Sequence, residues 1–288
     1  MGKFTGVLLA SDFDNTLVYT EPAMRSGAPI PPLPENNQTA LEYFIAEGGR
    51  FAIATGRALA AFIKQADMLP LNAPGVICNG AALYDFERAQ YLETIMLEGK
   101  IRARGQSVLD QFPDVALEAY HIENVIYAVQ PNEVTREHEH ITKVSVTEAP
   151  SLLEVPLPLG KLLFEAEHDR LEQVKESLET QDWSEEYEII FPTPKLLEVT
   201  AKGANKGAMV RCLANHLGIS MEHVYCVGDE ANVRSMLSVA AEGFAPKNCS
   251  AAVRESGATI VCHCAEGALA EVIAILDQRY ESGMKQRR

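Results

Sequence analysis

Basic residues are in short supply. The 288-residue chain carries 25 Lys and Arg against 40 Asp and Glu, a formal charge of −15. That balance opposes sequence-blind binding of nucleic acid, which needs a basic surface to neutralise phosphates. It does not oppose a small anionic substrate, because a pocket can be locally positive inside an acidic protein. Long apolar runs are missing as well: none approaches the run of about 18 residues that crosses a bilayer. Asp12 and Asp14 break the only early apolar stretch, so no export signal is expected. Gly6 stands where a myristoylation signal wants serine or threonine. The six cysteines are Cys78, Cys212, Cys226, Cys249, Cys262 and Cys264, and no two form a CxxC pair. The cluster Cys262-His263-Cys264 has no second cluster at the spacing of a structural zinc site, so buried thiols in a reducing compartment are expected. The expectation is a cytoplasmic protein that acts on neither membrane nor nucleic acid; a homodimer is left open.

Hydrophobic residues make up 47% of the chain, enough to fill real cores and to exclude general disorder. The length fits one large domain or two moderate ones. Residues 6–10 form a short, continuously apolar stretch, the pattern of a strand inside a parallel sheet. A proline-dense connection over 22–34 argues against regular structure. A helix capped by Asn36 or Asn37 is predicted to run through 47, stopped by Gly48-Gly49 ahead of a strand over 50–54. A helix over 58–67 and a strand over 76–78 continue the alternation of an α/β sheet covered on both faces. The rhythm then changes. Strands over 115–121 and 125–130, separated by little more than Glu123-Asn124, read as an antiparallel hairpin. A strand over 159–166, a helix over 168–179 and a strand pair over 188–191 and 195–199 follow, consistent with an antiparallel sheet carrying helices on one side. After Thr200 the strand–helix alternation returns through to a helix over 266–276, leaving a polar, basic tail over 282–288 that is expected to fray. One core built from both ends of the chain, residues 1–82 and 197–288, with an inserted domain over 83–196, explains the change and the return.

Four segments fall at the ends of predicted core strands, where parallel sheets bind ligands: residues 12–17, Thr55-Gly56-Arg57, Lys206 at a helix start, and Gly228-Asp229 with Asn232. Together they supply what phosphoryl transfer needs. Asp12, Asp14 and Asp229 offer oxygen ligands to a hard cation such as magnesium. Thr55, Lys206 and nearby backbone N–H groups can receive phosphate oxygens and the charge that develops on them. A phosphate dianion and a carboxylate nucleophile repel each other, and the metal and the lysine remove that obstacle. Each piece alone is an ordinary cap, turn or solvated lysine; their order and placement carry the reading.

These segments resemble the four motifs of the haloacid dehalogenase-like superfamily, and within it the Cof-like phosphatases with an inserted α/β cap. Asp12-Phe13-Asp14-Asn15-Thr16-Leu17 is similar to the first motif, with asparagine at 15 where many members carry glycine. Ala54-Thr55-Gly56-Arg57 matches the second, residues 201–207 the third, and Gly228-Asp229-Glu230-Ala231-Asn232 the fourth. Residues 77–81, Ile-Cys-Asn-Gly-Ala, match the stretch before the cap. The resemblance covers nearly the whole chain. It implies a three-layer Rossmann-like parallel-sheet core with an inserted α+β cap of type IIB. It further implies Mg2+-dependent hydrolysis of a small phosphate monoester, such as a sugar phosphate or related metabolite. Asp12 would attack phosphorus; Asp14 would protonate the leaving alcohol and then activate water. The metal would be held by the Asp12 carboxylate, the Asp14 backbone carbonyl and the Asp229 carboxylate. Thr55, Gly56, Lys206 and Asn232 would contact the phosphoryl group, and Asn79 and Arg57 the substrate.

One position departs from the pattern. Val233 follows Asn232 where the family usually has a second aspartate. Losing an oxygen that orients a metal's ligands costs about 10–100-fold in affinity or activity. Two other readings therefore stay open: phosphomutase-like transfer, which would want extra cap arginines that are not evident, and a weakly active regulatory protein that kept the fold. The inserted region does not name its substrate. Its Glu137-His138-Glu139-His140 run has a metal-binding composition but is expected to be a solvated loop.

Overall fold

The computed structural model describes residues 2–286, with side chains through Tyr280. Five parallel strands form the first sheet, in the order Thr259–Val261, Glu242–Pro246, Val224–Val227, Leu8–Ser11 and Arg50–Ile53. Side chains alternate across a strand, and the sheet sorts its apolar residues accordingly. Leu9, Phe51, Ile53, Tyr225 and Phe244 pack on one face against the helices Glu35–Ala46 and Ala268–Gln286. Leu8, Ala10, Ala52, Cys226 and Ala245 pack on the other face, under the helices Lys206–Leu217 and Arg234–Val239. Both faces are covered, which is why these strands are apolar throughout.

Gly75–Ile77, Ala82–Asp85 and Gln90–Thr94 make a separate three-stranded antiparallel sheet. Its first strand bridges to the core sheet through Ala54 and Val76. The third sheet has the order Tyr187–Thr193, Leu196–Ala201, Leu159–Glu165, Ala116–His121, Ile126–Val129 and Thr147–Glu148. All its neighbours are antiparallel except the last pair. One face is apolar: Leu117, Leu162, Phe164 and Leu197 pack beneath the helices Ile101–Leu109 and His168–Glu179. The opposite face buries charge, with Glu118, Lys161, Glu165 and Glu198 each at most 5% exposed.

Several local expectations need correction. The proline-dense connection contains a short helix, Glu21–Ser26, with Pro22 in its first turn, where the missing N–H costs nothing. Neither Asn36 nor Asn37 caps the next helix, which starts at Glu35 behind Pro34. Asn37 is buried instead, donating to the Leu17 carbonyl and accepting from the Ala270 amide. The 137–140 run lies within a helix, Glu133–Thr142, not a loop; Asn132 and Thr135 form a reciprocal capping box at its start. The last helix continues through Gln286, and Arg287 and Arg288 of the tail expected to fray lie outside the described residues.

Candidate active site

Three adjacent strands end together. Ser11 pairs with Ile53 on one side and Val227 on the other. Asp12, Ala54-Thr55 and Gly228-Asp229 therefore leave the sheet side by side, at its carboxyl edge. Asp12 is 6% exposed and Asp229 3%. Lys206 reaches the same place from the first turn of its helix, held by Asn205, whose side chain accepts from the Ala208 amide at 2.9 Å. Gly207 allows the helix to approach, because a Cβ there would lie 2.3 Å from the Ser235 carbonyl oxygen.

The Lys206 ammonium donates to Asp12 Oδ2 at 2.6 Å, with the lysine side chain fully buried. Asp12 Oδ1 accepts from the Phe13 amide at 2.7 Å. Burial raises the Asp12 pKa above the ordinary carboxylate range, a push that Lys206 only partly opposes. Asp229 is raised well above that range, first by burial and then by the charge of Asp12; the Thr16 hydroxyl, donating at 2.9 Å, works the other way. Burial also raises Glu230. The site thus holds more buried negative charge than its one lysine balances.

Asp14 is the more exposed of the first pair. Arg57 grips it with both arms, Nε to Oδ2 at 2.8 Å and Nη2 to Oδ1 at 2.7 Å, while the Thr20 hydroxyl donates to Oδ1 at 2.8 Å. Burial works against the Arg57 charge, but Asp14 outweighs it and the guanidinium pKa is raised. Arg57, expected toward substrate, is in this structure committed to Asp14 and lies over the Phe13 ring. Asn15 sits at φ +51°, a left-handed conformation that asparagine tolerates, so the replacement of the usual glycine is accommodated.

Thr55 is fully buried, and its hydroxyl oxygen accepts from the Arg57 amide at 3.1 Å. Gly56 packs beside Asn79: a Cβ at Gly56 would lie 2.9 Å from Asn79 Oδ1. Asn79, expected to contact substrate, spends its amide on the protein, donating to Glu198 at 2.6 Å and accepting from Asn232 at 2.9 Å. Asn232 Oδ1 is buried without a hydrogen-bond partner. Val233 is fully buried in the apolar cluster with Met209, Val210, Met236 and Leu237.

Motif reading passed over Thr20, Lys161 and Glu198. Lys161 comes from the third sheet, donating to Glu198 at 2.8 Å and to the Gly56 carbonyl at 3.2 Å, with its ammonium 4.5 Å from the centre of the Tyr120 ring. Charged residues inside otherwise apolar strands were the available signal, since such groups are buried only with partners. His138 also turns inward, and although burial works to lower its pKa, Glu118 and Glu165 hold the imidazole up to about 9.

The family model for haloacid dehalogenase-like hydrolases matches residues 9–273. An HMP-PP phosphatase of Cronobacter sakazakii is 27% identical over 236 residues, spanning 82% of each chain. The protein YxeH of Bacillus subtilis is 26% identical over 264 residues, 86% of this chain and 90% of that one. Among solved structures, a haloacid dehalogenase-like hydrolase from Bacteroides thetaiotaomicron superposes with a TM-score of 0.79 at 20% identity. A HAD subclass IIB sugar phosphatase superposes with 0.78 at 22%. Each comparison covers 94% of this chain and 99% of the other, and at that identity it speaks for the fold. From the carboxyl-edge cluster to the whole-chain match, the chain belongs to the haloacid dehalogenase-like hydrolases, in their Cof-like group.

Proposed function

We propose that this protein hydrolyses a small phosphate monoester through an aspartyl-phosphate on Asp12. The observation that carries the reading is the buried Lys206–Asp12 pair beside Asp229, at the shared end of three parallel strands. The donor set fits a hard divalent cation: two buried carboxylates, Asp12 and Asp229, whose pKa values are both raised and whose charges act on one another. Asp12, Asp229 and the Asp14 carbonyl would hold magnesium, which supplies positive charge against the phosphoryl oxygens.

An Asp12 carboxylate oxygen attacks phosphorus, and the ester P–O bond breaks toward the alcohol oxygen. Asp14 gives that oxygen a proton. Asp14 then takes a proton from water, whose oxygen attacks the same phosphorus and frees both Asp12 and inorganic phosphate. Lys206 and Thr55 stand where phosphoryl oxygens would arrive, so charge developing in the transition state meets a prepositioned ammonium. Arg57 and Thr20 hold Asp14 in reach. The buried polar face of the third sheet joins the core at Gly56 through Lys161, and it supports a cap role for residues 83–196 in shielding the reaction from water. A small phosphorylated metabolite is the favoured substrate class, since one relative is named an HMP-PP phosphatase and one structural neighbour a sugar phosphatase. Val233 is the observation that favours slow turnover as a second reading.

The test is release of inorganic phosphate from a panel of phosphate monoesters, with magnesium and with EDTA. Metal-dependent turnover by the native chain and almost none by Asp12→Asn is expected. Equal rates for the two chains would remove Asp12 as nucleophile.

A further inference from the structure

Among the described residues, two buried side-chain atoms lack a hydrogen-bond partner: Asn232 Oδ1, whose amide nitrogen donates to Asn79, and Glu165 Oε1. The second belongs to a different constellation. Glu165 and Glu118 stand on neighbouring strands of the third sheet, 0% and 1% exposed. His138 comes over them from the helix Glu133–Thr142, with Nδ1 3.0 Å from Glu118 Oε2 and 3.2 Å from Glu165 Oε1. A proton on Nδ1 is directed at Glu118, and Glu165 Oε1 receives none. The Tyr120 hydroxyl fixes Glu118 at 2.6 Å, and the Thr135 hydroxyl fixes the other oxygen of Glu165 at 2.6 Å.

The nearby Lys161 is engaged by Glu198 at 2.8 Å. Glu118 and Glu165 are left facing one imidazole, and two buried carboxylates beside one imidazolium are costly. Burial raises the Glu165 pKa, so without a cation the second negative charge is relieved by a proton on Glu165. A divalent cation with a neutral imidazole cancels both. Tetrahedral bonds of about 2.0–2.1 Å put ligand atoms about 3.3 Å apart; the imidazole nitrogen stands 3.0 and 3.2 Å from the two carboxylate oxygens, and all three ligand atoms lie within 4.8 Å of one another. One nitrogen and two carboxylate oxygens suit zinc and its first-row neighbours better than magnesium, which wants six oxygens.

We propose that Glu118, His138 and Glu165 form a second cation site, for a zinc-like divalent metal, sharing no residue with the Asp12 cluster. Such an ion would staple the helix Glu133–Thr142 to the sheet. That helix also presents His140 to Gly27, the residue that ends the helix Glu21–Ser26, where an added Cβ would lie 2.3 Å from the imidazole Nε2.

The experiment is a zinc titration of the full chain by calorimetry in excess magnesium, which occupies the Asp12 site. Expected are one zinc equivalent in the native chain and in Asp229→Asn, and binding at least about tenfold weaker in His138→Gln and Glu165→Gln. Absence of zinc binding by the native chain overturns the proposal. So does zinc that is lost in Asp229→Asn yet kept in His138→Gln, because the ion then belongs to the Asp12 cluster. Should either variant fail to fold, the cobalt-loaded native chain decides. An intense four-coordinate visible spectrum supports the site, and the faint spectrum of six-coordinate cobalt overturns it.

Discussion

Replacing Lys206 by methionine isolates the electrostatic claim. Methionine keeps most of the apolar stem, so lost packing costs less than about 1.5 kcal/mol. The rest of the effect is charge. The ion pair at 2.6 Å, its side chains 0% and 8% exposed, is of the kind whose breakage costs about 3–5 kcal/mol when one partner is left behind. The penalty has a definite pH dependence. Asp12 and Asp229 both have folded-state pKa values above their ordinary value of 3.8. Between the unfolded and folded pKa values the native state binds more protons than the unfolded state, so stability falls as pH rises through that window. Removing Lys206 deletes the influence that lowers Asp12, which widens the window. Lys206→Met should therefore be destabilised most at neutral pH and progressively less on acidification. Urea unfolding in EDTA measures this directly. Magnesium should return part of the loss, and kcat should fall about 10²–10³-fold, as when a prepositioned donor is removed. A neutral-pH deficit under about 1 kcal/mol, or one that is the same at acidic pH, would refute the reasoning.

Arg57→Ala frees Asp14 from its bidentate partner; kcat should drop about 10–100-fold with KM little changed, and a change confined to KM would return Arg57 to a substrate-binding role. Val233→Asp buries a carboxylate among apolar groups and should lower the urea midpoint in EDTA. Magnesium should restore more stability to it than to the native chain, and equal increments would show that the new side chain does not reach the ion. Lys161→Met leaves Glu198 with only the Asn79 amide and should cost about 3–5 kcal/mol; unchanged thermal unfolding would mean that the Lys161–Glu198 pair contributes nothing net.

The parallel sheet and the acidic cluster at its carboxyl edge were legible because both rest on local signals. Apolar strands lead within two residues into Asp12, Thr55 and Asp229, and a capped helix begins at Lys206. The sequence order of those motifs could stand for their spatial order, since adjacent parallel strands end on the same side. What stayed hidden depends on which face a side chain takes. Arg57 reads as a free cation in sequence, yet a residue four past a strand end can turn toward either Asp14 or solvent. Asn79 reads as a polar tip, but its left-handed backbone, φ +53°, folds the amide back between Glu198 and Asn232. The 137–140 run was misread because its charge pattern outweighed the Asn132 cap signal five residues earlier. The solvated-loop expectation also hid a histidine that turns inward.

Lys161 makes the register of its strand a concern for the Thr55-Gly56-Arg57 loop, far off in sequence. Over residues 161–165, odd positions take the polar side of the sheet and even positions face the two covering helices, so Lys161, Leu163 and Glu165 share a side. A single inserted residue ahead of Lys161 would swing all of them to the wrong surface, withdrawing the ammonium from the Gly56 carbonyl and the carboxylate from His138 in one stroke. Loops and outer helices of the inserted sheet can drift freely in length, whereas this strand is held to its count by partners at both of its ends.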